Sequence, residues 1–466
     1  MYLYDTSKKS KREFEPIIDG EVSIYVCGPT VYDDAHLGHA RSSLSFDLLS
    51  RTLRALGYRV TLAKNFTDID DKIIKKIKET KQTLKEITEY YIDRYNHEMS
   101  LLNILPADIT PKATDSIDDI ESMINHLMEL GFAYQISNGD IYFDTSRDSS
   151  YGAISHRVVD DEHNQSRVEE QGEKRDPKDF ALWKACSGDD NICFGSNLPT
   201  GRPGWHIECS AMIDKHFKGS DNFQIDIHGG GADLLFPHHE NEASQSRCAT
   251  GKEVANFWIH NGFVQIDGEK MSKSLGNSFF LKDTLEIYDG EIVRYYLNAV
   301  HYRNDFNFNE EDLLIYKKRL DRLYRLKKRL LPTKSSKPSK LFVKRMLDAM
   351  SDDLNISIAL ASIDQMVSDA NEKLDINPKD KATKRETLAN IEFIDTLLGF
   401  GGREPFSYFQ IGVAEDLKLE IETLIKDRDS AKREKNFNQA DLIRDKLTSM
   451  NISIMDTPNG TVWEKI

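Results

Sequence analysis

The sequence predicts an α/β fold: a doubly wound domain with a parallel sheet is split by an insertion and followed by an α-helical bundle and a small C-terminal domain. Three observations support this fold class. A strand, a turn, a helix and a second strand follow one another early in the chain, the same order returns at Phe223, and helical patterns dominate after Asn307. A chain of 466 residues is also too long for one hydrophobic core, so two to four domains are expected.

The first part of the sheet is indicated by two apolar runs with a helix between them. Residues 22–27 form a short apolar run, a turn-rich segment follows, and leucines then recur at helical spacing until Gly57, which ends the helix. Residues 59–66 predict a second strand, which completes the pattern of a parallel crossover unit. Because such sheets bind ligands at the carboxyl ends of their strands, Cys27 lies where chemistry is expected.

The second part of the sheet is predicted after an insertion. Residues 110–203 combine a helix-like stretch with the polar segment 160–178, where we expect mobile loops. Residues 223–227 then form another apolar strand that runs into His228 and three glycines, and Pro237 stands where the first turn of a helix tolerates proline. The chain thus repeats the order of strand, turn and helix.

The C-terminal third is predicted to be helical. Apolar residues recur at helical spacing from Leu313 to Leu330, residues 332–340 resemble a linker, and a helical region extends to about Leu398. Glycines beginning at Gly399 mark a further boundary. The predicted segments are residues 1–110 and 204–265 for the two halves of the α/β domain, 111–203 for the insertion, 266–310 for a connecting segment, 311–398 for the helical bundle and 403–466 for the C-terminal domain.

Composition excludes several classes of protein. Hydrophobic residues make up 39% and charged residues 30% of the chain, and no apolar run approaches the ~20 residues that a membrane helix needs. The first residues lack the apolar core of a secretory signal, so a cytoplasmic location is expected. Five cysteines are few, odd in number and widely spaced, which favours reduced thiols, some of them as metal ligands.

The formal net charge of -15 is unfavourable for binding nucleic acid, because phosphate contacts normally need a positive surface. A local basic face remains compatible with this net charge. Residues 317–329, which are rich in Lys and Arg, are the place where we expect one.

Two histidines flank one glycine where the first long helix is predicted to begin. His36 and His39 could each donate a hydrogen bond to the charge that builds on a triphosphate, and Gly38 would let a purine lie close to the backbone. Two surface histidines at a helix start are the alternative interpretation of this motif.

A second motif, KMSKS at residues 270–274, places two ammonium groups and two hydroxyl groups in one short loop. Such a loop can hold a pyrophosphate. Two lysines in a charged loop are more often solvated surface. The residue types alone are therefore compatible with pyrophosphate binding but do not establish it.

Together, HLGH at residues 36–39 and the later KMSKS resemble the paired signatures of class I aminoacyl-tRNA synthetases, in the same order and with the same wide separation. Leu37 replaces the isoleucine of the family pattern and preserves an aliphatic side chain. The resemblance implies a Rossmann-type catalytic domain in which these side chains stabilise the transition state of adenylate formation. It implies catalytic roles for His36, His39, Lys270 and Lys273 and contacts to ATP for His36, Gly38, His39 and Lys273.

A third group of residues has the composition of a zinc site. His238 and Glu242 are four residues apart, so that an imidazole and a carboxylate would share one helix face. With Cys27 and Cys209 they supply two thiolates, one imidazole and one carboxylate, which suits zinc in number and type. The alternative is that the cysteines are small buried apolar residues and the histidine is only a helix cap.

The sequence also resembles cysteinyl-tRNA synthetases over essentially its whole length, through YVCGPTVYD at residues 25–33, GWHIECS at 204–210 and the string from 228 to 242. The resemblance implies one zinc ion per chain, held by Cys27, Cys209, His238 and Glu242. His206 and His239 are the nearest alternative ligands, and spacing does not exclude His206.

A zinc ion suits cysteine as a substrate, because the metal readily displaces the proton of a thiol, whereas the hydroxyl of serine is a harder and far less acidic ligand. Thr67 and Trp205 are predicted to line the amino-acid pocket, with a role in the core as the alternative for Trp205. The insertion is too short for a separate editing domain.

The C-terminal strings at residues 431–447 and 456–463 resemble the last part of the same family. Basic residues beside an aromatic can hold phosphates and stack on unpaired anticodon bases; a solvated helix with a terminal hairpin is the alternative. The resemblance further implies contact of residues 266–310 with the tRNA stem, and cysteine, ATP with Mg²⁺ and tRNA(Cys) as partners, without a membrane and as a monomer. Two rival hypotheses are a cysteine ligase that acts on a small amine and a zinc protein that binds RNA without turnover.

Overall fold

The computed structural model describes residues 1–156, 174–186, 192–195, 197–266, 269–270, 280–457 and 460–465. The polar segment predicted at 160–178 therefore lies mostly outside the described residues. The chain forms two compact units. The first consists of Met1–Lys282, Leu297–Asn309 and Leu347–Ala359, and the second of Asp283–Tyr296, Glu310–Met346 and Leu360–Ile466.

The secondary structure alternates strands and helices in the first unit and is mainly helical in the second. The strands are β1 Tyr2–Asp5, β2 Ser10–Glu13, β3 Glu21–Val26, β4 Arg59–Lys64, β5 Ala133–Gln135, β6 Ile141–Phe143, β7 Phe180–Ala185, β8 Gly201–Pro203, β9 Phe223–Gly231, β10 Glu253–Asn261, β11 Val264–Ile266, β12 Glu269–Lys270, β13 Phe306–Phe308, β14 Ile452–Thr457 and β15 Gly460–Lys465. The α-helices are α1 Leu37–Ala55, α2 Asp71–Thr80, α3 Leu84–Leu101, α4 Ile117–Glu129, α5 Trp205–His216, α6 Glu240–Thr250, α7 Leu281–Ile287, α8 Gly290–Asn298, α9 Glu310–Arg329, α10 Lys340–Met350, α11 Ile356–Ile376, α12 Lys381–Leu398, α13 Pro405–Tyr408, α14 Glu415–Arg433 and α15 Phe437–Ser449.

A four-stranded parallel sheet in the order β10, β9, β3 and β4 forms the centre of the first unit. The predicted crossover is present, because β3 leads through α1 to its parallel neighbour β4. The leucines that predicted the helix, among them Leu44, Leu49 and Leu53, are fully buried. Gly57 follows the helix with a left-handed φ of 99°, which only glycine adopts at little cost. The predicted α/β fold class is confirmed.

Strand β9 is longer than the sequence predicts. It continues past Ile227 to Gly231, because β10 pairs with it as far as that residue. The glycines serve close packing rather than a turn: a Cβ on Gly229 would lie 2.2 Å from the ring of Phe46 on α1. His228 is therefore held inside a strand, with its side chain fully buried.

The helix predicted at Pro237 begins three residues later. Leu235–His239 form a separate turn in which Phe236 is extended, with φ -141° and ψ 133°, and the regular helix α6 starts at Glu240. A residue before proline disfavours the helical conformation, and the extended Phe236 agrees with this preference. His238 therefore precedes the helix that carries Glu242 instead of sharing a helix face with it.

The predicted insertion contains an antiparallel sheet in the order β5, β6, β7 and β8. Its apolar face packs with α4 and α5 around a core that includes Ile124, Phe143 and Trp183. The return strand β8 leads directly into α5, so the insertion positions the start of that helix.

The expectation of reduced thiols is wrong for one pair of cysteines. Cys186 and Cys193 form a disulfide with their Cα atoms 6.3 Å apart, whereas Cys27, Cys209 and Cys248 have free thiols. The two half-cystines lie in the loop that connects β7 with β8, where the amide of Cys186 donates to Thr200 O and the chain doubles back. Residue spacing alone did not indicate this reversal.

Ion pairs engage much of the basic stretch predicted at residues 317–329. On α9, the cation of Lys317 lies 3.0 Å from Asp321, Arg319 pairs with Asp364, and Arg329 pairs with Asp375. The positive charge of this helix is therefore partly neutralised within the second unit.

The C-terminal part of the second unit has its own apolar core. Helices α14 and α15 pack against each other and against the antiparallel hairpin of β14 and β15. Ile421, Ile443, Leu447 and Trp463 are among the buried residues of this core. Among the helices of the described residues, none combines the length and apolar composition that a bilayer-spanning helix needs.

Candidate active site

The four predicted metal ligands come together at the carboxyl end of the parallel sheet. Cys27 directly follows β3, Cys209 lies in α5, His238 lies in the turn before α6, and Glu242 lies in the first turn of that helix. Each of the four residues is at most 9% exposed. A buried set of two thiols, an imidazole and a carboxylate needs a partner that offsets the cost of desolvating its charges.

The spacing of these side chains fits a tetrahedral metal ion. The Sγ atoms of Cys27 and Cys209 are 3.7 Å apart, and His238 Nε2 lies 3.8 Å from Cys209 Sγ. Glu242 Oε1 lies 3.3 Å from Cys27 Sγ and 2.8 Å from His238 Nε2. With Zn–S bonds of about 2.3 Å, two sulfurs of a tetrahedral site are about 3.8 Å apart. The donor set and its dimensions therefore suit zinc.

His228 fixes the orientation of the Glu242 carboxylate. Its Nε2 lies 2.7 Å from Glu242 Oε2, and its ring stacks on Trp258 with the ring centres 4.6 Å apart. Because this contact engages Oε2, the other oxygen faces the two thiols. Imidazole and carboxylate partners of this kind commonly orient metal ligands. The sequence pattern predicts no role for His228, although its place before three glycines at a strand end is visible.

A second set of possible ligands shares two members with the first. Cys27, His228, His239 and Glu242 also bring their ligand atoms within 4.8 Å of one another. This set offers one thiol instead of two, and thiolates are the softer ligands that favour zinc. The set that includes Cys209 is therefore the better zinc site.

The electrostatics of the cluster favour anionic ligands. Burial would raise the pKa of Glu242, but His238 and His228 outweigh it and hold that pKa well below its usual range. The hydrogen bond from the Cys27 thiol lowers the pKa of Cys209 to about 6, whereas burial raises the pKa of Cys27. One thiolate and one carboxylate thus face each other in a buried space, an arrangement suited to a cation.

The two alternative histidines lie beside this set. His206 Nδ1 contacts His238 Nδ1 at 2.8 Å, so it lies on the far side of the imidazole from the thiols. The ring of Trp205 stacks on the ring of His238 with centres 4.2 Å apart, which brings this predicted pocket residue against the cluster. Thr67 is buried, and its hydroxyl lies 3.2 Å from the carboxyl of Glu208, the neighbour of Cys209 in the chain.

The first signature forms an unusual helix cap. The backbone amide of His39 donates to His36 Nδ1 at 3.3 Å, and the amide of His36 donates to His39 Nδ1 at 3.2 Å. The two rings stack with centres 3.7 Å apart. Because both Nδ1 atoms accept hydrogen bonds, a neutral ring at either position carries its proton on Nε2 and is a donor there. Both rings thus lie at the start of α1, and hydrogen-bond donation from them to a triphosphate stays a prediction.

Of the second signature, KMSKS at residues 270–274, the structure describes only Lys270. Lys270 ends β12, and residues 271–279, which include the predicted catalytic Lys273, lie outside the described residues. The chain resumes at Phe280, which forms a bridge with His36, and the amide of Leu281 donates to Ala35 O at 2.8 Å. The segment that follows the lysine motif therefore lies beside the histidine signature.

Glycine is required directly after the metal candidate Cys27. A Cβ on Gly28 would lie 1.6 Å from the backbone oxygen of Asn65. Gly28→Ala is therefore expected to push Cys27 away from its partners and to lower the free energy of unfolding by about 2–4 kcal/mol. Thermal melting and zinc content measure the two effects. Gly20→Ala is the control: no atom lies within 4 Å of the added methyl group, so the left-handed φ of 73° should lower stability by about 1–2 kcal/mol and leave the zinc content unchanged. Unchanged zinc content in the Gly28 variant would contradict this expectation.

Comparison with known proteins agrees with this fold. A family model described as the tRNA synthetases class I (C) catalytic domain matches residues 13–318. Two solved structures of Mycobacterium tuberculosis methionyl-tRNA synthetase share the fold, with TM-scores of 0.59 and 0.61 at 15% and 14% identity. These structures match 81% and 85% of this chain and 92% and 95% of their own chains. The catalytic domain is that of a class I tRNA synthetase.

Relatives with much higher sequence identity indicate which family of class I tRNA synthetases this chain belongs to. Cysteine–tRNA ligases of a Sulfurovum species and a Nitratiruptor species are 69% and 60% identical, and an enzyme of the same name from Helicobacter pylori is 54% identical. Each alignment covers 100% of this chain and 100% of the relative. The chain belongs to the cysteine–tRNA ligase family.

Proposed function

We propose that this chain activates cysteine with ATP and transfers it to the 3′ end of tRNA(Cys). One observation carries the proposal: Cys27, a member of the buried cluster with Cys209, His238 and Glu242, directly follows β3, the same strand that leads to the stacked histidines at the start of α1. A site for sulfur and a site for phosphate thus lie at one edge of one sheet. The names of relatives that match over the whole chain support the same activity.

The cluster would hold one zinc ion per chain. When bound, the ion would accept the sulfur of cysteine as a thiolate, a bond that the harder and less acidic hydroxyl of serine cannot match. Two thiols and His238 supply the remaining donors, while His228 keeps one oxygen of Glu242 directed toward them. Trp205 stacks on the ring of His238, and this contact with a predicted zinc ligand supports a place for Trp205 beside the amino acid.

Adenylate formation in this proposal relies on positioning and on stabilisation of charge. The carboxylate of cysteine attacks the α-phosphate of ATP, the bond to pyrophosphate breaks, and a terminal ribose hydroxyl of tRNA later takes the aminoacyl group and releases AMP. His36 and His39, as Nε2–H donors at a helix N-terminus, suit the charge on the phosphates. Gly38 and Lys273 complete the predicted ATP site, Lys270 is a further predicted catalytic residue, and Mg²⁺ accompanies the nucleotide.

Two other functions are less consistent with the molecule. A ligase that joins cysteine to a small amine would have no use for the C-terminal pair of helices and hairpin, which have their own core. A zinc protein without turnover would have no use for two stacked histidines that cap α1 next to the segment following the KMSKS motif.

Exchange of labelled pyrophosphate into ATP tests the proposed function. We expect exchange with cysteine, and with serine a kcat/KM lower by about 10⁴-fold, because a lost metal–sulfur bond leaves the site's ligands without their substrate partner. Aminoacylation of a tRNA(Cys) transcript should proceed with the same preference. Equal exchange with the two amino acids, or a purified protein free of zinc, would refute the proposal.

A further inference from the structure

One cluster of charged side chains near the histidine signature has no role in the proposed mechanism. Asp34 lies in the loop between β3 and α1, two residues before His36, and is only 9% exposed. Its Oδ1 lies 2.6 Å from Arg94 Nε on α3, and its Oδ2 lies 2.6 Å from Lys282 Nζ on α7. One carboxylate therefore contacts cations from two separate elements.

The backbone supports the same connection. The antiparallel bridge between His36 and Phe280, together with the hydrogen bond from Leu281 to Ala35, places residues 280–282 alongside residues 34–36. Lys282 thus reaches Asp34 from a segment that is already fixed against the loop. The ion pair between Asp34 and Arg94 also connects this loop to α3, which these backbone contacts do not reach.

Glu98 completes the cluster on α3. Its Oε1 lies 3.6 Å from Arg94 Nη2, and the residue is 4% exposed. Burial raises the pKa of Glu98 to about 7, with Arg94 and Lys282 opposing the rise and Asp34 adding to it. Asp34, at 2.6 Å, is the closer carboxylate partner of Arg94, and Glu98 is the more distant one.

We infer that Asp34 is a positioning residue for the ATP reaction: by contacting Arg94 and Lys282 together, it fixes the loop that carries His36 relative to the segment that follows the lysine motif. The inference rests on the proposed function, since it assumes that these two segments act on one nucleotide. The side chain of Asp34 is 10% exposed and those of Arg94 and Lys282 are 32% and 35% exposed, so water screens these ion pairs less than fully solvated ones. Asp34 itself does not touch the reacting atoms.

Steady-state pyrophosphate exchange with Asp34→Asn, Lys282→Met and the double variant tests the inference. Each single change is expected to raise the KM for ATP or lower kcat, with kcat/KM for ATP falling about 10- to 100-fold, because small displacements of positioning groups have effects of this size. The KM for cysteine and the zinc content should stay within about twofold of the wild type, because the metal cluster does not include these residues. The double variant should be no worse than the poorer single variant, since both remove the same link.

A matched control separates positioning from general stability. Asp47 on α1 is also buried, pairs with Arg51 at 2.9 Å and accepts the amide of Leu105 at 3.0 Å. Asp47→Asn should lower the melting temperature and leave the KM for ATP unchanged. Asp34→Glu should recover part of the lost kcat/KM, because it restores the charge.

The outcomes distinguish this inference from the proposed function. Without cysteine-dependent exchange in the wild-type protein, the proposed function fails. An active wild type together with a fully active Asp34→Asn variant would overturn the inference alone. Additive losses in the double variant, or a loss with Lys282→Met and none with Asp34→Asn, would mean that Lys282 acts without Asp34 and would overturn it as well.

Discussion

Cys209→Ser is expected to remove zinc from the protein and to reduce cysteine activation by on the order of 10³-fold or more, the scale of losing a central catalytic interaction. Cys209 is 1% exposed, and its sulfur lies within 4 Å of both Cys27 Sγ and His238 Nε2. A hydroxyl at this position has nearly the same shape but is a much poorer ligand for zinc. The remaining three donors would be left buried without the ion that compensates their charge.

Elemental analysis of the purified variant, combined with pyrophosphate exchange, measures this prediction. Cys248→Ser is the matched control, because Cys248 has a free thiol on α6 and takes no part in either candidate ligand set. The control should retain one zinc ion and near wild-type exchange. If the Cys209 variant retained stoichiometric zinc, the ion would be bound by residues other than this cluster.

Removal of residues 412–466 is expected to lower kcat/KM for tRNA charging at least about 10²-fold while cysteine activation changes less than about twofold, since stacking on single-stranded bases contributes about 1–3 kcal/mol per base. The cut must precede α14. A shorter deletion from residue 431 would leave Ile421 and Ile425 of α14 without the partners that bury them. Gly412 is exposed and has a left-handed φ of 76°, as in a turn, so the chain can be cut directly before it.

A single substitution gives a milder form of the same test. Phe437 begins α15 with 62% of its surface exposed, next to the basic residues of the predicted RNA-binding string. Phe437→Ala should reduce charging by roughly tenfold through the loss of one stacking partner. Leu442→Ala, on the same helix and 64% exposed, should leave charging unchanged. Equal charging by the truncated and complete chains would refute a role for this region in tRNA binding.

The local parts of the fold followed from the sequence. Leucine spacing predicted α1, and the apolar runs on either side predicted two strands that became β3 and β4. These patterns are reliable because each depends on the backbone of a few neighbouring residues and on one buried face. The histidine pair at a helix start was likewise visible, because a cap is formed by residues three apart.

Errors arose where packing against a distant segment overrode a local pattern. The glycines after His228 suggested a turn, yet they lie in β9, because α1 needs glycine for close contact at Gly229. The pairing of Cys186 with Cys193 depends on how the loop between β7 and β8 folds back. Neither of these outcomes is encoded in the spacing of nearby residues. The late start of α6 at Glu240 has a local cause instead, because the residue before a proline disfavours the helical conformation and Phe236 is extended.

The sequence by itself determined the fold class, the histidine signature and the chemical types of the four metal candidates. Only the tertiary structure brought Cys27 beside Cys209 and let His228 select the oxygen of Glu242 that faces them. It also joined Asp34 to Arg94 and Lys282. Secondary structure is set by short-range sterics and periodic burial, whereas the approach of side chains from distant segments is set by the packing of the whole sheet and its helices.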